Sequence, residues 1–195
     1  MRLPNALMAW LAALGLAAAA SGCVRSGVTR YYTLAALAPA GPAAGTTAGA
    51  LGVGPVRLPQ HLRQNAMVVR VEPHRLEYRD ADLWAEAPED AVLAAIRENL
   101  ARLSGLRPVL RYPWRGGDAP RCQVAVEVTA FELAGTREAV LTARWEIRDA
   151  NGVLVRTADA TYREPAEHGV ASLAEAQSRA LLRLCQDIAA ALAAC

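Results

Sequence analysis

Gln123-Val124-Ala125-Val126-Glu127-Val128-Thr129-Ala130 and Leu141-Thr142-Ala143-Arg144-Trp145-Glu146-Ile147-Arg148 decide the fold. Val124, Val126, Val128 and Ala130 alternate with Gln123, Glu127 and Thr129. Leu141, Ala143, Trp145 and Ile147 alternate with Thr142, Arg144, Glu146 and Arg148. A period of two sends every apolar side chain to one side of an extended chain, so each stretch predicts a strand with one buried and one wet face. The pattern resumes in Val153, Val155 and Thr157 after Asn151-Gly152, the dipeptide that suits a tight hairpin whose central residues both take positive φ. Three strands on short connections predict an antiparallel meander with one polar face.

Downstream, Ser172-Leu173-Ala174-Glu175 reads as a capping box, serine and glutamate satisfying each other's orphan amides. It opens a helix with Leu173, Leu181, Leu184, Ile188 and Leu192 inward. Upstream, Pro88 suits the first turn of another helix, and Glu89 and Asp90 complement the positive end of its dipole. Leu93, Ile96, Leu100 and Leu103 form its stripe, and Ser104-Gly105 stops it. Arg30–Leu34, Leu51–Val56, Met67–Val71 and Arg75–Tyr78 are β-rich, the last two a hairpin about Pro73-His74. A short strand, Val109–Tyr112, runs into the loop Pro113-Trp114-Arg115-Gly116-Gly117. The expectation is a single-domain α/β sandwich over residues 30–195: a mixed β-sheet with an antiparallel C-terminal meander, packed by two main amphipathic helices. Residues 37–50, rich in alanine, glycine, proline and threonine without charge or period, are expected as a flexible loop.

The first 22 residues have a different character. Met1-Arg2 supplies a positive start, Leu7–Ala20 is an unbroken apolar run, and Ala20-Ser21-Gly22-Cys23 closes it with small residues. That is the layout of a secretory signal peptide, too short for a membrane-spanning helix. The small-small-Cys ending resembles a bacterial lipobox, with Ala20 where leucine is usual, so Cys23 is the expected lipidation site and residues 23–29 a tether. The alternative is ordinary secretion with cleavage near Ala20, leaving Cys23 a free thiol in an oxidising compartment. Acyl burial contributes about 0.8 kcal/mol per CH₂ and two chains already anchor stably, so a lipidated Cys23 fixes the chain to a membrane. Val24 stands where an aspartate would signal inner-membrane retention, so the outer membrane, periplasmic face, is expected.

Removing residues 1–22 leaves about 173 residues, enough for one well-buried domain. The formal charge is +2, and the basic residues are scattered from Arg25 to Arg183, so nucleic-acid binding is unsupported. All 21 basic residues are arginine, which reads as genome composition, although arginine also makes better planar contacts at interfaces than lysine. With Cys23 lipidated, Cys122, Cys185 and Cys195 remain: an odd count, consistent with one disulfide and one thiol, or with none. Cys185 shares the stripe of Leu181 and Ile188 and is expected in the core, so Cys122 and Cys195 are the better bridging pair.

No catalytic or metal site emerges. G-x-S-x-G, HExxH, P-loop, GxGxxG and CxxC are all missing. His61, His74 and His168 lie in separate turns or loop-like stretches. Glu86, Glu89 and Asp90 are explained by the helix dipole, and Asp80, Asp82 and Glu86 lack the glycine-centred spacing of a calcium loop. No cofactor is expected beyond the covalent lipid. Trp145 alternates into the sheet. Trp84 and Trp114 stand out, and Trp114 with Arg115, in a glycine-bounded loop, is the best candidate partner contact, aromatic residues and arginine being enriched at interfaces. The competing reading has Trp114 covering a sheet edge.

The order of these features resembles the PqiC-type (YmbA-like) ABC transport auxiliary lipoproteins. It rests on the lipobox cysteine, Tyr31-Tyr32-Thr33-Leu34, Val53-Gly54-Pro55-Val56, Leu58-Pro59 before Met67-Val68-Val69-Arg70, and Leu83-Trp84-Ala85-Glu86-Ala87-Pro88 entering a helix that ends Asn99-Leu100-Ala101-Arg102-Leu103. The resemblance implies a non-enzymatic accessory subunit of an MCE-type phospholipid transport system. Its implied partners are an MCE-domain periplasmic protein and inner-membrane transporter components, and it leaves a homo-oligomer open. The alternative is an independent ligand-binding or envelope-assembly lipoprotein. A periplasmic hydrolase has no nucleophile–base pair behind it.

Overall fold

Strand β6, Cys122–Ala134, is the spine of an eight-stranded mixed sheet in the computed structural model, which describes residues 27–39, 49–114, 119–135, 137–167 and 170–195. Along one edge it pairs antiparallel with β7, Glu138–Asp149, which pairs in turn with β8, Leu154–Pro165. Its other edge is shared. The first half takes β2, Leu51–Arg57, in parallel from Leu51 opposite Cys122 to Arg57 opposite Glu127; the last residues take β3, Ala66–Glu72, also in parallel. The sheet therefore forks. One limb ends in β5, Val109–Arg111, beside β2; the other continues through β4, Arg75–Trp84, to β1, Arg30–Tyr32.

Helices α1, Pro88–Leu103, and α2, Val170–Ala191, pack against each other on one face, α1 over β2 and α2 over β7 and β8. The apolar alternation read from the sequence supplies the contact: Val53, Val124, Val126, Val128, Leu141 and Ile147 meet Val92, Ile96, Leu100, Leu181, Leu184 and Ile188, all buried. Fully burying each such side chain contributes roughly 1.5–3 kcal/mol. The sheet's opposite face, with Glu127, Arg144 and Asp159, meets solvent. A disulfide joins Cys122 to Cys195, tying the start of the spine to the 3₁₀ turn Leu192–Ala194 at the C-terminal end of α2, and Cys185 is a buried free thiol.

Several local expectations are corrected. Helix α2 already includes Val170 and Ala171, so Ser172 lies within its first turn and does not open it. Leu173 and Ala176 pack against Val69, Leu133 and Ala166, and that burial carries the helix upstream of the polar signal. The β7–β8 turn is not the tight Asn-Gly form. Only Gly152 there has positive φ, at 78°, and the Asp149 carboxylate accepts from the amides of Asn151 and Val153, both at 2.9 Å. The Asp149 carbonyl accepts from the Gly152 amide at 3.0 Å, giving a three-residue loop with glycine in the left-handed position. Strand β4 also runs on to Trp84, well past Tyr78, because its second half gains β1 as a parallel neighbour and Trp84 stacks on Phe131.

Residues 33–39 cross both helices. The amide of Ala35 donates to Ser178 Oγ at 3.1 Å and that of Ala38 to Asn99 Oδ1 at 2.9 Å, while Arg102 donates to the carbonyls of Ala36 and Ala38. Leu37–Pro39, the start of the expected loop, are thus held down; residues 40–48 lie outside the described residues.

Candidate partner-binding surface

Two glycines of β2 make a seat. Leu51 and Val53 point into the core, so Gly52 faces the helix-free side. A Cβ on Gly52 would lie 2.5 Å from Trp114 Cη2 and 2.8 Å from Pro120 Cγ. Gly54 has φ +120°, and its Cβ would lie 2.7 Å from Tyr112 Cβ. Only glycine allows this approach, and Gly54 also occupies a backbone region that L-residues avoid. Tyr112 and Trp114 meet edge to face, centroids 5.5 Å apart, Trp114 half-buried and Tyr112 exposed.

The surface continues across the sheet. Gln123 Nε2 donates to the Gly54 carbonyl at 3.0 Å, and beyond it Pro55, Arg57, Ala125, Glu127, Arg144 and Arg148 border an open groove of about 270 Å³. Arg144 grips Asp159 with two hydrogen bonds, 2.8 and 3.1 Å, and Arg148 bonds Glu146 at 2.8 Å. The guanidinium of Arg144 holds the Asp159 carboxyl below the usual carboxylate range. Solvent screens such surface pairs, so they contribute little to stability. Aromatic faces beside alternating charges are the kind of surface that binds a partner.

Away from this surface, two buried carboxylates are held in ion pairs. Asp82 is 2% exposed yet accepts from Tyr32 Oη at 3.2 Å and Arg79 Nε at 3.0 Å and pairs with Arg30 at 3.7 Å. Burial first, then the Asp82 charge, pushes the Tyr32 phenol up. Glu132, equally hidden, is held by Arg70 through both oxygens. His61 is half-buried in the turn Gln60–Leu62 and His74 exposed at the β3–β4 hairpin, while His168 falls outside the described residues. Among the described residues no group of three potential ligands gathers for a metal, and no helix is long and apolar enough to cross a membrane.

Of the candidate residues, Cys23 and Arg115 lie outside the described residues, and Trp114 packs on Gly52 beside the edge strand β5. Sequence reasoning missed the glycine seat. The signal was present: glycines at 52 and 54 and aromatics at 112 and 114 share a spacing of two. It also missed Asp82, whose ion partners come from β1 and from its own strand.

A family model described as the ABC-type transport auxiliary lipoprotein component matches residues 32–189. No curated protein matches the sequence. A crystal structure of an uncharacterized protein superposes with a TM-score of 0.70 at 17% identity, covering 85% of this chain and 99% of that one. The crystal structure of protein XCC0632 from Xanthomonas campestris, of family DUF330, gives 0.69 at 17% identity over 83% of this chain and 93% of that one. At such identity the likeness is one of fold.

Proposed function

We propose, because the chain belongs to the family of ABC-type transport auxiliary lipoprotein components, that it is a non-enzymatic accessory subunit of an MCE-type phospholipid transport system. It is held by lipid on Cys23 to the outer membrane, facing the periplasm. It docks an MCE-domain protein that connects to the inner-membrane transporter, and Trp114 and Arg115 contribute to the contact. The observation that carries this reading is the family match across residues 32–189. The Cys122–Cys195 disulfide supports an oxidising compartment, and the aromatic seat on the helix-free face offers the kind of residues in which interface energy concentrates.

Two measurements test it. The full-length chain should co-purify with the MCE-domain protein of the same genome, and Cys23→Ser should leave the outer-membrane fraction for the soluble periplasm, still folded. A Cys23→Ser protein that stays membrane-bound removes the lipid anchor from the account. A wild-type chain that leaves the MCE protein behind removes the transporter.

A further inference from the structure

Among the described residues, strand β8 is paired along one side only. The limbs on the other side of the sheet end in β1 and β5, of three residues each, whereas β8 runs for twelve and pairs with β7 alone. About half the N–H and C=O groups of such an edge point away from the sheet, and folded proteins usually shorten, cover or pair an edge of this length. Beside it, between β8 and the end of α2, lies a groove of about 770 Å³, walled mainly by alanines of the two elements, with Trp145 in its floor and Asp187, which accepts from Tyr162 Oη at 2.6 Å, on its helix side. Asp159, whose side chain pairs on the opposite face, also borders the groove, so it opens over the free edge.

Three observations indicate what the groove lacks. Most of its wall is alanine, which leaves volume beside the edge unfilled, and its one helix-borne acid, Asp187, is already engaged by Tyr162. Trp145 is 4% exposed, yet its indole N–H has no acceptor among the described residues, a costly state for a buried donor. Arg156, opposite the buried Ile147 in the register and so on the groove side, is exposed and makes no hydrogen bond or ion pair among the described residues. A donor, a cation and empty apolar volume call for acceptors, an anion and bulky side chains.

We propose that an extended segment of a partner polypeptide adds to β8 as a further strand, setting bulky apolar side chains into the groove at alternate positions and a carboxylate against Arg156. Main-chain pairing with the edge supplies affinity, and the groove selects every second side chain. A second copy of this chain fits less well. Its own β8 would bring alanine against alanine, and Glu164, the acid on the groove side of that strand, is already held by Arg179 and Arg183.

The identity of the partner rests on the accessory-subunit reading, so the probe is the MCE-domain protein, added to the full-length chain in detergent. Hydrogen exchange across Leu154–Pro165 is compared in the free and bound chain, and affinity is measured for wild type, Arg156→Glu and Ala190→Trp. We expect β8 amides to slow on binding, and each substitution to weaken binding on the order of tenfold or more, with melting temperature unchanged. If the protein binds while β8 exchange does not change and both variants bind as wild type does, the edge proposal is overturned and the accessory reading stands. Wild type that does not bind overturns the accessory reading and this pairing with it. Concentration-dependent protection of β8 in the free chain overturns the proposal in favour of a second copy. Exchange in the wild type decides the matter even if a variant folds poorly.

Discussion

At the scale of single residues, the most consequential contact is one that glycine permits. Gly52 leaves room for the Trp114 ring that no other side chain would leave, the nearest ring carbon lying 2.5 Å from where a Cβ would stand. Gly52→Ala must therefore displace the indole or distort β2, and overpacking of this kind costs about 1–3 kcal/mol. Trp114→Ala, removing a half-buried ring, costs about 2 kcal/mol, below the range for full burial. The informative experiment is the pair together. Because Pro120 Cγ also lies 2.8 Å from that Cβ, Gly52→Ala made in the Trp114→Ala background should cost clearly less than it does alone, but not nothing, in urea denaturation. Strict additivity would show that Gly52 is constrained by Pro120 or by the backbone instead.

At the scale of elements, the periodic signals succeeded where burial itself writes the pattern. The alternation in β6 and β7 and the stripes of α1 and α2 were legible because most inward positions are apolar, the buried Asn99 and Ser178 being kept for the amides of Ala38 and Ala35. What failed was end chemistry, where two local signals compete. Asn151-Gly152 advertises a two-residue turn, but Asp149 stands just upstream and its carboxylate collects two amides, shifting the turn to three residues. Ser172 advertises a cap, but packing of Leu173 and Ala176 extends the helix past it. The hairpin reading can be checked directly. Asp149→Ala removes two charge-assisted hydrogen bonds and should cost about 1–3 kcal/mol, whereas Asn151→Ala should cost less than about 0.5 kcal/mol, as exposed substitutions usually do. The reverse order in thermal unfolding would restore the Asn-Gly turn.

At the scale of the whole molecule, what the sequence could not reveal is what depends on distant parts meeting: the forked sheet, with β2 and β3 sharing one edge of β6, and the ion pairs of Asp82. The disulfide closes the architecture, joining residues 73 apart in the chain. Cross-linking over such a loop stabilises by about 4 kcal/mol through the unfolded state. Cys122→Ser with Cys195→Ser should lose that much in urea denaturation, and a loss under about 1 kcal/mol would mean packing alone holds the C-terminus. The buried thiol of Cys185 gives the molecule an alkaline limit. Burial pushes Cys185 well above its usual range; burial, then the hydrogen bond to Asp187, does the same for Tyr162. Unfolded, a cysteine loses its proton near pH ~8.5 and a tyrosine near ~10. Folded, both still hold theirs, so above those values the unfolded chain binds fewer protons and stability falls as pH rises. Each group titrating only in the unfolded state contributes a slope of about 1.4 kcal/mol per pH unit. Stability should therefore be fully present below about pH 8.5 and decline above it, steepening near ~10. Cys185→Ala should move the onset of the decline up towards ~10, read from urea midpoints across that range. An onset unchanged by the substitution would mean that Cys185 ionises in the folded protein as freely as in the unfolded chain.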